Sequence, residues 1–221
     1  MAVQIKRHVE KGLESKNKIY NTAKQTLRDF GYNGTKIKRI VDRAEVPLGL
    51  FSYYFKTKEH LLSSVYKDYY IRINALLETC GWFNAETSIF KHICSTKIYY
   101  DNIFADDACK RFYLEVLEKD LNLQFFFDII YKRYETFYTD YKIAMDIKDL
   151  KSIILFDFGA RRQFLMEYQN GNIDMDENDM IRHMSSITPL LMRIDYSEIE
   201  RMFDKCDECV SKLECGYIKI I

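Results

Sequence analysis

Apolar residues recur three or four positions apart along nearly the whole chain, and little interrupts the pattern. The 221 residues include only 2 prolines and 8 glycines, and 48% of them are hydrophobic. This spacing places apolar side chains on one face of an α-helix, and few residues are present that would end a helix. We therefore predict an all-α fold of long helices joined by short loops, with enough apolar surface for a substantial core.

The N-terminal segment predicts three short helices. The apolar stripe of the first runs from Ile19 to Phe30 and ends at Gly31, a residue suited to the left-handed position after a helix. Thr35 is the expected cap of a second helix, whose outer face is basic. Pro47 precedes a third helix at about 48–54. These three helices are expected to surround one small core.

Longer helices follow this segment. Thr57 is placed to cap a fourth helix that runs to about Cys80. The apolar spacing predicts further helices at about 84–104, 107–119, 122–145, 149–168, 177–193 and 196–213, with candidate caps at Asn84, Asp106, Asn122, Asp149, Asp176 and Ser197.

Charge is divided unevenly along the chain. Residues 1–60 contain 13 Lys and Arg but only 6 Asp and Glu, whereas the remainder contains 20 against 27. A basic N-terminal segment favours contact with an anion, most simply phosphate. No apolar run approaches the roughly 18 residues that cross a bilayer, and residues 1–20 are charged where a signal peptide is apolar. We expect a cytoplasmic protein with no membrane partner, in which the six cysteines stay reduced.

Two stretches of the N-terminal segment combine into one motif. The first contains Ile19, Ala23, Phe30-Gly31-Tyr32, Thr35, Ile37, Ile40 and Ala44, and the second reads Val-Pro-Leu-Gly-Leu-Phe-Ser-Tyr-Tyr-Phe-Lys-Thr-Lys-Glu over residues 46–59. Together they resemble the DNA-binding domain of the tetracycline-repressor (TetR) family. The resemblance implies a helix-turn-helix DNA-binding domain in residues 1–57, with the helix-turn-helix at about 36–55. It implies a larger helical domain in residues 58–221 that binds an effector and forms a homodimer.

The motif also indicates which residues meet double-stranded operator DNA. In a helix-turn-helix the last helix enters the major groove, and neighbouring helix starts meet phosphates. The resulting DNA-contacting candidates are Thr35, Lys36, Lys38, Leu48, Gly49, Leu50, Ser52, Tyr53, Tyr54 and Lys58. Phe51 and Phe55 are expected in the core. Ser52 stands where the family usually has tyrosine, and Leu48 and Leu50 stand where it usually has lysine, serine or threonine. Contact with thymine methyl groups and DNA shape would then supply more of the specificity.

The second domain is rich in aromatic residues between positions 82 and 141. Most should be core, but the family resemblance implies a pocket among them for a small hydrophobic or aromatic effector. A cationic aromatic ligand held by Glu115, Glu118 or Asp128 is an alternative, although solvated carboxylates are the simpler interpretation. The segment 149–168 is apolar on more than one face, and Gly159-Ala160 allows close approach, which favours a dimer interface with residues 180–194 or the last helix.

Two other functions are weighed against a DNA-binding repressor. The chain has no glycine-rich phosphate loop, no H-E-x-x-H and no G-x-S-x-G, so we expect neither an enzyme nor a bound cofactor. Cys206-x-x-Cys209 and Cys215 could suggest a metal or redox site, but the first pair lies on an apolar helical stripe, so buried thiols are favoured. A helical protein-interaction module without DNA binding is the remaining alternative.

Overall fold

The structure, a computed structural model, describes residues 2–142 and 146–221, and the side chains of these residues from position 11 onward except that of residue 147. Within these ranges every regular element is a helix, which confirms the predicted all-α class. The helices are α1 (Ala2–Gly34), α2 (Ile37–Ala44), α3 (Leu48–Phe55), α4 (Lys58–Glu78), α5 (Gly81–Asn84), α6 (Ser88–Phe104), α7 (Asp107–Glu118), α8 (Asn122–Asp140), α9 (Ile147–Gln169), α10 (Glu177–Leu191) and α11 (Tyr196–Val210). None of them is long and apolar enough to cross a membrane.

The first three helices surround a small apolar core. Ile19 on α1, Ile40 on α2 and Phe51 on α3 are fully buried, and Phe55 is 3% exposed. Phe30 was expected in this core, but it is 44% exposed. Its ring faces the basic outer side of α2, where the Arg39 guanidinium lies 4.1 Å from the ring centroid. A cation–π contact therefore covers Phe30 in place of apolar packing.

The backbone of α1 breaks at Gly31, where the sequence predicts that the first helix ends. Gly31 has φ 67° and ψ −175°, and helical hydrogen bonding resumes as far as Gly34. The expected positive φ is present, but the ψ value is not that of the left-handed helical region. The break turns the chain towards α2.

Several predicted helix ends shift by a few residues because other side chains act as caps. The predicted caps Thr57, Asp106 and Asp176 each accept a backbone N–H at a helix start. Asn84 does not, since Thr87 caps α6 and residues 81–84 form the separate short α5. Asn122, Asp149 and Ser197 lie inside their helices, which begin after Leu121, Asp146 and Asp195. Helix α8 ends at Asp140, and residues 143–145 of the predicted helix 122–145 lie outside the described residues.

Helix α6 is the centre of the larger helical part. It packs against α4, α7, α8, α10 and α11, and nearly all its side chains are buried. Helix α9 packs on α8 and α10 at one edge of the molecule. Ile154 and Leu165 of α9 are fully buried, whereas Leu155 is 55% and Phe156 is 64% exposed. The prediction that this helix is apolar on more than one face is confirmed.

Candidate DNA-binding surface and effector cavity

Helix α3 separates its core residues from its outer residues by helical spacing. Pro47, with φ −61°, precedes the first turn, where a missing N–H costs nothing. Tyr53 is 77% and Leu48 is 57% exposed, and an added Cβ at Gly49 would meet no described atom within 4 Å. Of the remaining candidates on this helix, Ser52 is exposed, and Leu50 and Tyr54 are half-buried against the core. The outer face of α3 is therefore open and mostly uncharged.

The candidates before α2 divide into free and buried groups. Lys36 precedes the first residue of α2 and Lys38 lies on its first turn, and both side chains are exposed. Thr35 is only 1% exposed, and its hydroxyl donates to the carbonyl oxygen of Gly31 over 2.6 Å. The hydroxyl of Thr35 is therefore not available to a phosphate. Its predicted capping of α2 is also wrong, because the hydroxyl closes the break in α1 instead.

Lys58 lies at the start of α4, as predicted, but its ammonium group already has partners. The Nζ atom donates to the carbonyl oxygen of Tyr32 over 2.6 Å and lies 3.6 Å from the centroid of the Tyr32 ring. Burial lowers the pKa of the half-buried Lys58. Its ammonium therefore fastens α4 to the end of α1 and has fewer donors left for a phosphate, and the backbone N–H groups of this helix start are further candidate donors.

A second contact joins the N-terminal helices to the larger helical part. Arg28 on α1 donates to both carboxylate oxygens of Asp106, at 3.1 and 2.9 Å. Glu115 on α7 accepts the backbone N–H of Asn33 over 2.7 Å, just beyond the break in α1. Glu115 is therefore not the solvated carboxylate that was expected, whereas Glu118 and Asp128 are exposed. Helix α7 thus contacts α1 directly.

A cavity of about 200 Å³ lies between α4, α6, α7, α8 and α9. Aromatic and apolar side chains form most of its wall, with several polar groups among them. The lining residues are Tyr70, His92, Ser95, Thr96, Tyr99, Tyr100, Tyr113, Leu117, Asp120, Asn122, Leu123, Phe126, Ile130, Leu155, Asp157, Phe158, Gly159, Arg161 and Arg162. Such a concave, largely apolar space with a few polar groups is typical of small-molecule sites.

A buried polar network forms one wall of this cavity. Arg161 donates to Asp157 over 2.6 Å and to Thr188 over 2.7 Å, and Tyr134 donates to Asp157 over 2.5 Å. The Nε2 atom of His92 lies 2.9 Å from the Thr188 hydroxyl. Burial, reinforced by nearby arginine charges, lowers the pKa of His92 well below its ordinary value. The buried charges of Arg161 and Asp157 neutralise each other, and this wall carries no net charge.

Sequence comparison places the three-helix unit in a known group. The profile of "Bacterial regulatory proteins, tetR family" matches residues 19–65, which span the last part of α1, then α2 and α3, and the start of α4. Residues 19–65 thus form a tetR-family domain. The Transposon Tn10 TetC protein of Escherichia coli is 34% identical to this chain over 93 residues, which cover 39% of this chain and 47% of that protein. The match thus spans about half the length of that relative.

The whole fold also has a solved counterpart. The crystal structure of RolR in complex with the ligand resorcinol superposes with a TM-score of 0.58 at 14% identity, covering 87% of this chain and 94% of RolR. At this identity the likeness concerns the fold alone. It extends beyond the matched N-terminal unit into the larger helical part of the chain.

The six cysteines are all free thiols. Cys206 is fully buried in the core, and Cys209 and Cys215 are half-buried. A hydrogen bond with Cys206 and burial together raise the pKa of Cys94 far above its ordinary value. Within the described ranges no three His, Cys, Asp or Glu residues lie together as metal ligands would. This placement favours the interpretation of Cys206 as a small buried apolar residue.

Sequence reasoning does not identify the polar residues of the cavity wall or the residue pair that joins α1 to α7. It predicts Asn122 only as a helix cap, and it does not identify Asp157 and Arg161. A signal was present for the latter pair, because they lie four residues apart on a helix that is apolar on most sides. No comparable pattern marks Arg28 and Asp106, which are 78 positions apart.

Proposed function

We propose that this chain is a cytoplasmic, homodimeric transcriptional regulator that represses by binding operator DNA and is released by a small effector. The observation that carries the proposal is the outward face of α3. It presents Leu48, Gly49, Ser52 and Tyr53 to solvent, while Phe51 and Phe55 hold the helix on its core. A helix that enters the major groove needs this division between a free face and an anchored face.

Exposed basic residues support DNA as the partner of this face. Lys36 and Lys38 are free at the start of α2 and can meet phosphates beside the groove. The proposed side-chain contacts are those of Lys36, Lys38, Leu48, Ser52 and Tyr53, with smaller contributions from the half-buried Leu50 and Tyr54. The backbone contributes close approach to the DNA at Gly49 and the N–H groups at the start of α4, at Lys58.

The exposed apolar face of α9 supports a homodimer. Leu155 and Phe156 are more than half exposed, and an added Cβ at Gly159 would meet no described atom within 4 Å. Large exposed apolar residues beside an open glycine mark a surface suited to close contact with another helix. A second copy is the proposed partner, because one short recognition helix binds DNA weakly and a twofold dimer presents two.

The cavity supports a small effector, and RolR, with the same fold, has been solved with resorcinol as ligand. Helix α7 contributes Tyr113 and Leu117 to the cavity wall and contacts α1 through Glu115. A ligand that shifts α7 would therefore shift the N-terminal unit relative to the N-terminal unit of the second subunit. A coupling of roughly 1 to 3 kcal/mol would lower DNA affinity by about 5- to 150-fold.

The direct test is selection of an operator from randomised duplexes, followed by fluorescence anisotropy titrations of the full chain at several salt concentrations. We expect a palindromic site whose half-sites are separated by steps of about 34 Å, and affinity that falls steeply with salt. Tyr53→Ala should weaken binding without loss of helix content, since Tyr53 is 77% exposed.

The matched control is Tyr217→Ala, because Tyr217 is a 69% exposed aromatic residue far along the chain from α3. This variant should bind the operator like the wild type. If the full chain shows no salt-dependent duplex binding, the proposal fails and a helical protein-interaction module becomes the better interpretation.

A further inference from the structure

Asn122 is a buried amide without a partner. It is the first residue of α8 and is 7% exposed, yet neither Oδ1 nor Nδ2 forms a hydrogen bond within the described part of the chain. An amide offers two donors and an acceptor, and burying them unpaired opposes folding. Such a group in a stable protein calls for an explanation by a bound molecule or a function.

The amide lies in the wall of the cavity between α4, α6, α7, α8 and α9. The hydroxyl of Tyr70, another lining residue, is also buried without a partner in the described ranges. Two unpartnered polar groups thus border one apolar space. A ligand with hydrogen-bonding groups would satisfy both, whereas a purely apolar ligand would leave them unpaired.

The size of the cavity limits the ligand to a small molecule. Its volume is about 200 Å³. A protein cavity of about 150 Å³ accommodates benzene. The space therefore suits one aromatic ring with a small substituent, and the surrounding Tyr99, Tyr113 and Phe126 provide ring faces and edges for it.

Most charges around the cavity are paired. Arg161 is paired with Asp157, and Arg162 lies 3.7 Å from Asp120. Arg133, whose guanidinium lies 5.0 Å from the centroid of a lining tyrosine ring, has no carboxylate partner in the described ranges. A cationic ligand would therefore meet neutralised carboxylates and an unpaired positive charge, and it would lose its hydration without gaining a free counter-charge.

We propose that Asn122 is the hydrogen-bonding anchor of this cavity, and that the cavity takes a single-ring aromatic molecule that has no positive charge and carries both a donor and an acceptor, such as an aromatic carboxamide or a phenol. Only the description of this ligand as an effector rests on the proposed function. The binding itself does not depend on DNA.

The test is calorimetric titration of the full chain, without DNA, with benzamide, toluene and benzylamine. These probes share one ring and differ in hydrogen bonding and charge. Wild type should bind benzamide, and it should bind benzylamine, a cation at neutral pH, at least tenfold more weakly. Asn122→Leu keeps a similar volume and removes the amide, so the ratio of benzamide to toluene affinity should fall at least tenfold.

Ser185→Ala is the matched control. Ser185 also has a buried hydroxyl without a partner in the described ranges, but it does not line the cavity, so this variant should leave the ratio unchanged. Asn122→Ala gives the same comparison if the leucine variant fails to fold. The proposal is overturned if benzamide does not bind, if benzylamine binds as tightly, or if both Asn122 variants keep the wild-type ratio. A chain that binds benzamide but no duplex would contradict the proposed function and not this inference.

Discussion

Two independent constraints act on Gly31. Its backbone, with φ 67° and ψ −175°, lies in a region that is essentially restricted to glycine. An added Cβ would also lie 2.6 Å from both carboxylate oxygens of Glu115, far inside contact distance. A side chain at this position would therefore strain the break in α1 and displace the carboxylate that accepts the N–H of Asn33. The conformation of the N-terminal helices and the position of α7 therefore both depend on glycine at this position.

Lysine side chains near the DNA-binding surface should differ in their effect on DNA binding. Lys38 is exposed, whereas the ammonium of Lys58 is bound to the carbonyl oxygen of Tyr32. We expect Lys38→Ala to reduce the slope of log K against log salt by about one unit, which corresponds to one lost phosphate contact. Lys58→Ala should change the slope less and should lower the unfolding temperature instead. Anisotropy titrations over a salt series and thermal melts measure both quantities.

An equal loss of slope in both variants would show that Lys58 leaves Tyr32 when DNA binds. Lys212→Ala is a suitable control, because Lys212 is an exposed lysine beyond the end of α11. Its removal should affect neither the salt slope nor the melting temperature.

At the level of elements, two helices connect the DNA-binding unit with the cavity. Helix α4 starts directly at the cap Thr57 and contributes Tyr70 to the cavity. Helix α7 contributes Tyr113 and Leu117 to the cavity and holds α1 through Glu115. A movement of the cavity wall can therefore reach the recognition helix by either route, and the α7 route can be weakened by substitution.

Glu115→Ala should weaken the coupling between effector and DNA while both ligands still bind. The alanine removes the acceptor of the Asn33 N–H and leaves the cavity-facing side of α7 intact. We expect the coupling free energy to fall by about 0.5 to 2 kcal/mol. It is measured as the ratio of operator affinities with and without the compound that most reduces DNA binding in a screen of uncharged aromatic molecules. Glu118→Ala, an exposed carboxylate on the same helix, should retain the wild-type ratio.

Asp106 gives the α1–α7 contact a dependence on pH. Its pKa lies well below the ordinary value, chiefly because Arg28 donates to it and also because the Cys109 N–H does. A carboxyl group whose pKa is lower in the folded state stabilises the fold above its unfolded pKa of about 4, and this contribution is lost as the pH falls through the folded value. Asp106→Asn should therefore lower the free energy of unfolding at pH 7 by about 1 kcal/mol, because the exposure of Arg28 weakens the pair.

The difference between wild type and Asp106→Asn should shrink as the pH is lowered below about 4, which urea denaturation at a series of pH values can follow. Asp128→Asn changes the same charge at an exposed position of α8 and should show a smaller difference at pH 7. A stability difference for Asp106→Asn that is constant with pH would contradict this role of the ion pair.

At the scale of the whole molecule, the exposed face of α9 should decide the oligomeric state. Phe156→Glu places a charge in the proposed dimer interface, where it would be buried without a partner. We expect the dimer dissociation constant to rise at least tenfold, measured by light scattering and sedimentation against the chain mass of 26.5 kDa. The fold should persist, since Phe156 is 64% exposed within one chain. Tyr217→Glu, at a 69% exposed aromatic position, should leave the dimer unchanged. Dimers that survive Phe156→Glu would place the interface elsewhere.

Features that depend on neighbouring residues were predictable from the sequence alone. Helical spacing of apolar residues predicted the all-α class, because side chains three and four positions apart share a face whatever they pack against. The same locality explains why Thr57, Asp106 and Asp176 were found as caps, since a cap bonds to a backbone N–H only a few positions away. The three-helix unit was recognisable because its core, turn and recognition helix lie within about 50 consecutive residues.

Tertiary contacts determine which polar groups are free and which are engaged. Thr35 and Lys58 have the residue types expected of DNA contacts, but the carbonyl oxygens of Gly31 and Tyr32 already accept from them. Asn122 carries the residue type of a helix cap, but its amide is buried at the cavity without a partner in the described ranges. Segments that are distant in sequence create these environments, for example where α7 contacts the break in α1. A local sequence pattern cannot predict such an environment, because the free energy of a polar group depends on the groups that surround it in space.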